Sequence, residues 1–246
     1  METKQKFSLS SNALRYCALF FMLLDHVYHT LGGGVWLNCI GRLAFPIFAF
    51  QIAEGYRHTS NVKRYKKRLL LFALISEIPF NWMLAAGPVY PFHQNVLFTL
   101  LLGLMAIDAI ERGKKETKLW KSWLLCIGEP LLCLAVAQVG MTDYNWVGVA
   151  TVIGFHLLRE HKLLLTALMV YLNQFGIGGR VFPLFGGAFD LKMQALALLA
   201  LPLIWLYKGE KGKDLIIAGR KINIGYWFYP LHLAILCLLR QIRWML

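Results

Sequence analysis

Apolar runs of 13 to 20 residues alternate with short polar breaks along nearly the whole chain, and the breaks alternate between rich and poor in Lys and Arg. Runs this long with so few charges predict membrane-spanning helices rather than amphipathic helices of a soluble domain. Nine are predicted, over residues 12–31, 35–53, 69–86, 95–110, 122–139, 146–158, 163–175, 193–207 and 224–239, and the length allows eight to ten. The fold class expected is an all-α polytopic transmembrane bundle forming one integral membrane domain over residues 1–246. The Gly- and aromatic-rich stretch 176–192 reads as a re-entrant or interfacial piece, because irregular backbone at membrane depth needs protein or water around it.

The breaks also predict orientation. RHTSNVKRYKKR at 57–68 and ERGKKETKLWK at 111–121 are basic, whereas GPVYPFHQ at 87–94 and GMTDYN at 140–145 hold no Lys or Arg. Basic loops stay in the cytoplasm, so the N-terminus, with Lys4, Lys6 and Arg15, is expected there too. Arg240 and Arg243 are the exception, since nine crossings place them outside. No small-residue cleavage site follows Leu24, so the first run is expected to stay as a helix rather than act as a signal peptide.

Composition supports this reading. The 246 residues are 58% hydrophobic, above the share of about 45–50% usual in soluble domains. The net charge of +13 falls in short clusters between apolar runs, a pattern that excludes a nucleic-acid surface and points to anionic lipid headgroups. Five cysteines without metal-ligand spacing read as reduced, membrane-embedded small residues. Histidines show no metal-binding pattern either, so no metal is expected.

Chemistry enters where polar residues interrupt hydrocarbon. Asp25, His26 and His29 lie inside the first run, and charge at mid-bilayer costs about 2.5–3.5 kcal/mol on insertion scales, which makes such residues functional candidates with partners to be found. Counted from the helix ends, Arg42 lies at the depth of Asp25 across the Gly32-Gly33-Gly34 hairpin, so an Asp25–Arg42 ion pair is predicted. Asp25 and His29 share a face at i,i+4, with His26 about 100° away. Either Asp25 orients His29 and His26 reacts, or the roles are exchanged. A carboxylate-held imidazole is a general base, while the plainer alternative is polar glue between helices. Tyr229, Pro230 and His232 form a second constellation with two readings: Pro230 bends the last helix and directs His232 inward, or His232 is a hydrogen-bonded packing residue. Glu77 and Glu129 read as buried acids without an obvious local partner. The basic break with Arg57, Lys63, Arg64 and Arg68 suits phosphates of a nucleotide-type cofactor, or reflects topology alone.

The runs LLDHVYHT, GRLAFPIFAFQIAEGYRHT, NVLFTLLLG, DYNWVGV and FYPLHL occur in order between residues 23 and 233. They resemble the TraX family, named for the conjugative pilin acetylase. The resemblance implies an integral membrane acyltransferase of the bacterial inner membrane, taking an acetyl group from cytoplasmic acetyl-CoA and delivering it at or across the membrane, with an intramembrane His as catalytic group. Carried over by matching motif, the implied residues are Asp25, His26, Arg42, Glu54, His58, Arg68, Asn95, Asp143, Tyr144 and His232. The acceptor stays open among a pilin-like protein N-terminus, a cell-envelope glycan and a small molecule. A difficulty accompanies this: phosphates at the inner loop lie far from an outward-lying His26, so the cofactor's arm must thread between helices, or His232 accepts the acyl group first. Two other classes fit the buried ionisable residues, a proton-coupled transporter or flippase and a structural subunit of a pilus or secretion assembly.

Overall fold

The computed structural model describes residues 8–212, 216–217, 220–221 and 224–245. Lys4, Lys6 and Lys213, which carry part of the charge-based topology argument, lie outside the described residues. The chain is mostly helical, and the nine predicted runs each correspond to a helical segment, several of them broken. Three segments among the described residues, Val35–His58, Val62–Ala85 and Leu119–Val139, are long and apolar enough to cross a membrane.

Helix α1 (Ser11–Leu31) starts where the Ser10 hydroxyl accepts from the Ala13 amide at 3.2 Å and stops at Gly32, whose φ of +84° suits only glycine well. The second run does not form one helix. It divides into α2 (Val35–Gly41) and α3 (Ala44–His58), because Pro46 has no N–H to offer the Arg42 carbonyl and its ring crowds that turn. Pro46 thus sits in the first turn of α3, where the missing donor costs little. The break leaves Arg42 at the joint.

Helix α4 (Val62–Ala85) begins a full seven residues before the expected position, capped by Asn61, whose side chain accepts from the Arg64 amide at 2.8 Å. Lys63 to Arg68 therefore occupy its first turns rather than a loop. Asn95 caps α5 (Val96–Gly113) through the Leu97 amide at 3.0 Å. The fifth run is α6 (Leu119–Trp123), a π-turn at Leu124–Gly128 and α7 (Glu129–Val139); Pro130 at the start of α7 lacks the donor that regular helix would need. Helices α8 (Asn145–Leu157), α9 (Lys162–Tyr171), α10 (Ala200–Trp205) and α11 (Ile224–Met245) complete the series.

The all-α expectation needs correction at two places. Val181–Leu184 (β1) and Phe189–Lys192 (β2) pair as an antiparallel hairpin in the stretch read as re-entrant or interfacial, and Ile216–Ile217 (β3) pairs with Arg220–Lys221 (β4). In the first, a Gly186-Gly187 turn between apolar ends favours strand pairing over helix.

Helix α1 packs against α2, α3 and α11, while α11 also packs on α4, and α5 sits between α4, α7 and α8. The loop before α5 is tied to the loop before α8: the Gln94 amide donates to the Met141 carbonyl at 3.0 Å, and the Asp143 amide to the Gln94 carbonyl at 2.8 Å. Helix α11 runs parallel to α1 and α4, and its C-terminal arginines cap them. Arg240 donates to the Met83 and Trp82 carbonyls at 2.9 and 2.6 Å, and Arg243 to the Leu31 carbonyl at 2.8 Å. These arginines sit on last-turn carbonyls at the negative dipole ends of two helices, a local reason for basic residues at that end of the fold. Glu129 is not without a partner: Arg112 donates to both its oxygens at 3.0 Å.

Candidate active site

His26 faces α11 rather than Asp25. Its Nδ1 lies 2.6 Å from Nε2 of His232, and the two rings stack with centroids 4.9 Å apart. On the far side, His232 Nδ1 lies 2.6 Å from the Phe228 carbonyl oxygen. A carbonyl can only accept, so His232 Nδ1 carries the proton and, in the neutral ring, Nε2 offers a lone pair. His26 Nδ1 must then donate, which leaves the His26 lone pair on Nε2. That nitrogen has no hydrogen-bond partner among the described residues, and His26 lines a small cavity. The carbonyl used by His232 is that of Phe228, not the Tyr226 carbonyl that Pro230 leaves without its helical donor.

Asp25 belongs to a different network on the neighbouring face of α1. Its carboxylate pairs with the Arg42 guanidinium, with side-chain exposures of 14% and 16%, so the pair is largely withdrawn from solvent. Asn38 donates to Asp25 Oδ1 at 2.6 Å and lies 3.0 Å from His29 Nε2, which is 3.8 Å from Asp25 Oδ2. Of the two arrangements left open by sequence, the geometry has Asp25 beside His29 and His26 held from the other side by His232. Arg42 extends the network to Gln194 at 3.2 Å, and Gln194 donates to Asn173 at 3.1 Å. Gly41 makes this possible, since a Cβ there would lie 2.5 Å from Asp25 Cβ and Oδ1.

Two neighbouring cavities lie at and beside this centre. The small one, about 40 Å³, is lined by Asp25, His26, Asp143 and Tyr144 among others. The large one, about 480 Å³, begins at a rim of Arg15, His58, Arg68 and Lys211 and continues between Leu19, Ile52 and Leu69. Met22, Phe48, Val96 and Tyr229 line both. Arg15, Leu19, Met22 and His26 recur at spacings of four, three and four, one face of α1, and cover about 16 Å of helix from the rim to the imidazole.

The other candidates divide by position. Glu54 and Arg68 line the large cavity; the buried Glu54 carboxylate is engaged by Arg159 at 2.6 Å, His58 at 2.9 Å and Tyr207 at 3.1 Å, and Arg68 lies 4.8 Å over the Tyr226 ring. Arg57, Lys63 and Arg64 are exposed and line neither cavity. Asn95 also lines neither: its amide nitrogen donates to the Ala73 carbonyl at 2.8 Å and Glu77 at 2.5 Å, its oxygen caps α5, and so it is fully occupied with structure. Tyr144 adopts a left-handed φ of +64° and stacks on Phe45 at 3.9 Å, a strained backbone that faces the ring toward the small cavity. Asp143 lies 3.6 Å from His93, in the break before α5, and holds that imidazole above its ordinary pKa.

Sequence reasoning missed Asn38, Gln194 and the role of Arg15. Asn38 stands four residues before Arg42, and Arg15 heads the stripe that ends at His26; reading α1 and α2 by face would have found both.

A family described as TraX protein matches residues 10–240. A probable fimbrial assembly protein FimC, serogroup H1, of Dichelobacter nodosus is 29% identical over 242 residues, covering 93% of this chain and 94% of that protein. No solved structure matches. With a family match that runs from the cap of α1 to Arg240, through every residue of the histidine pair and the ion-pair network, the chain belongs to the TraX family.

Proposed function

We propose that this protein is a multi-pass acyltransferase of the bacterial inner membrane that moves an acetyl group from cytoplasmic acetyl-CoA to an acceptor at or across the membrane. The observation that carries the reading is that the two cavities lie side by side, with Met22, Phe48, Val96 and Tyr229 in the walls of both. That shared wall supports a path for the cofactor's arm from the basic groups at one end, past these four side chains, to the imidazole in the interior. Arg15, His58 and Arg68 at the rim suit the phosphates, the apolar walls suit an extended pantetheine arm, and the small cavity suits a two-carbon group. Outward-facing Leu74, Ile78, Leu132 and Ile235, all more than half exposed, support a lipid-facing exterior. The N-terminus and the basic end of the bundle then lie in the cytoplasm.

In this reading His26 is the base. Its Nε2 takes the proton of the acceptor's amine or hydroxyl as the bond from that atom to the acyl carbon forms. When the carbon–sulfur bond breaks with its electron pair on sulfur, His26 returns the proton there, so acyl thioester and acceptor give acylated acceptor and free thiol. His232 keeps Nδ1 of His26 as the donor, which directs the lone pair to Nε2 and stabilises positive charge on the ring while it holds two protons. Asp25 and Arg42 hold α1 against α2 beside it.

A pilin-like protein N-terminus leads the candidate acceptors, since a similar protein is named a probable fimbrial assembly protein; a cell-envelope glycan or a small molecule remain the alternatives. The test is purified protein in lipid nanodiscs with acetyl-CoA labelled in the acetyl group. Binding, and release of CoA with candidate acceptors, is expected for wild type, with release abolished by His26→Ala. Absence of binding and of release in wild type removes the enzyme reading in favour of a transporter or an assembly subunit.

A further inference from the structure

Phe45 and Tyr144 stack face to face, with ring centroids 3.9 Å apart and planes at 11°, and both line the small cavity and not the large one. The pair is fixed by what packs on it. Gly148, which lines neither cavity, approaches so closely that a Cβ there would lie 2.9 Å from Tyr144 Cβ, 3.1 Å from Phe45 Cζ and 2.4 Å from Thr99 Cγ2. Thr99 is fully buried; its hydroxyl donates to the Asp143 carbonyl and lies 3.0 Å from Thr142 Oγ1, which pins the chain on either side of Asp143. Met141, Tyr144 and Asn145 all take left-handed φ, at +49°, +64° and +46°, a cost that persists only where the surroundings over-determine the backbone. The stack is therefore a rigid wall, not two rings free to swing aside.

We propose that the Phe45–Tyr144 stack is the end wall of the acyl site and limits the transferred group to two carbons. The assignment rests on the acyl-transfer reading and names the side chains that set its substrate. Met22, Phe48, Val96 and Tyr229 border both cavities, so a thioester that reaches His26 past them turns its acyl carbons toward the part of the small cavity they do not line, where Phe45 and Tyr144 with Ala44 supply the apolar surface. A cavity needs about 10–15 Å³ to hold one water, so the space of about 40 Å³ takes roughly three heavy atoms, as many as an acetyl group has. Each further methylene presses on the stack, and overpacking a close-packed wall is unfavourable. A longer chain gains nothing on the polar side, since hydrocarbon laid on Asp25 or Asp143 takes a carboxylate out of water.

Full-length protein in nanodiscs is titrated with CoA and with acetyl-, propionyl- and butyryl-dethia(carba)-CoA, ketones in which a methylene replaces the sulfur so that no transfer occurs. Wild type is expected to bind the acetyl analogue more tightly than the butyryl one by roughly tenfold to a hundredfold. Phe45→Leu should narrow that ratio, and Phe45→Ala should bring it within about threefold of unity or reverse it. Phe50→Leu makes the same truncation on the same helix at a buried ring that packs on Phe155 and Tyr207 and lines neither cavity, so it should leave the ratio as in wild type. A wild type that binds the three analogues equally, a Phe45→Leu protein that keeps the full preference, or a Phe50→Leu protein that shifts it as far as Phe45→Leu does, overturns the end wall and leaves the acyltransferase reading intact. A wild type that binds neither CoA nor any analogue overturns the acyltransferase reading itself.

Discussion

His26 Nδ1 and His232 Nε2 stand 2.6 Å apart although 206 residues separate them in the chain. The pair joins the first helix to the last, and because the Phe228 carbonyl fixes the His232 tautomer, it also fixes which nitrogen of His26 can act as base.

His232→Ala should therefore lower acetyl transfer by roughly 10²–10⁴-fold without removing acetyl-CoA binding. His232→Gln, which can still present an acceptor oxygen to His26 Nδ1, should recover part of the loss. The double variant with His26→Ala should be no worse than His26→Ala alone, since the two act as one unit. Initial rates of CoA release for wild type and the four variants check this; additive losses would separate the two residues.

Arg42→Gln leaves the Asp25 carboxylate withdrawn from water without its cation, so a loss of about 3–5 kcal/mol of stability is expected. Adding Asp25→Asn should restore most of it. Denaturation in detergent, monitored by circular dichroism for the wild type, both single variants and the pair, gives the coupling.

Gly41→Ala places a methyl group on Asp25 and is expected to destabilise by about 1–3 kcal/mol. Asp25→Gly in the same chain should relieve the clash, so its added cost is smaller than in wild type. Thermal unfolding of the two singles and the double measures the difference.

Arg68→Ala at the rim should raise the KM for acetyl-CoA roughly tenfold, about 1.4 kcal/mol, at unchanged kcat. Arg64→Ala, exposed and away from both cavities, should leave KM within about twofold of wild type. Equal effects of the two substitutions would mean that charge at this end acts through the membrane surface and not through the cavity.

The His93–Asp143 contact predicts a pH dependence. Asp143, and more weakly Glu77, raise the His93 pKa against the opposing effect of burial, so protonation is favoured by folding. A group raised in the folded state contributes stability that is complete below its unfolded pKa, about 6.5, and is lost as pH rises through the folded value. The melting temperature should fall between pH 6 and the mildly alkaline range by more in wild type than in His93→Gln. Identical profiles would show that the contact adds nothing.

The sequence alone determined the helical segments, the placing of basic and apolar breaks, and the Asp25–Arg42 pair. Each follows from local properties: a run of hydrocarbon has only helix to satisfy its backbone, and the short Gly32–Gly34 turn forces equal depths on adjoining helices. It also carried the family motifs. It did not reveal where those helices break, because the effect of Pro46 depends on which residue its missing donor falls against, nor the β hairpin, which needs its two ends to meet. Only the tertiary structure decided that His26 is held by His232 rather than Asp25, that Asn95 serves as a helix cap, and that the two cavities share a wall. Helix rotation is the physical reason. Residues 25 and 26 differ by about 100° around α1, so which of them faces α2 and which α11 is set by how three helices pack and not by their order in the chain.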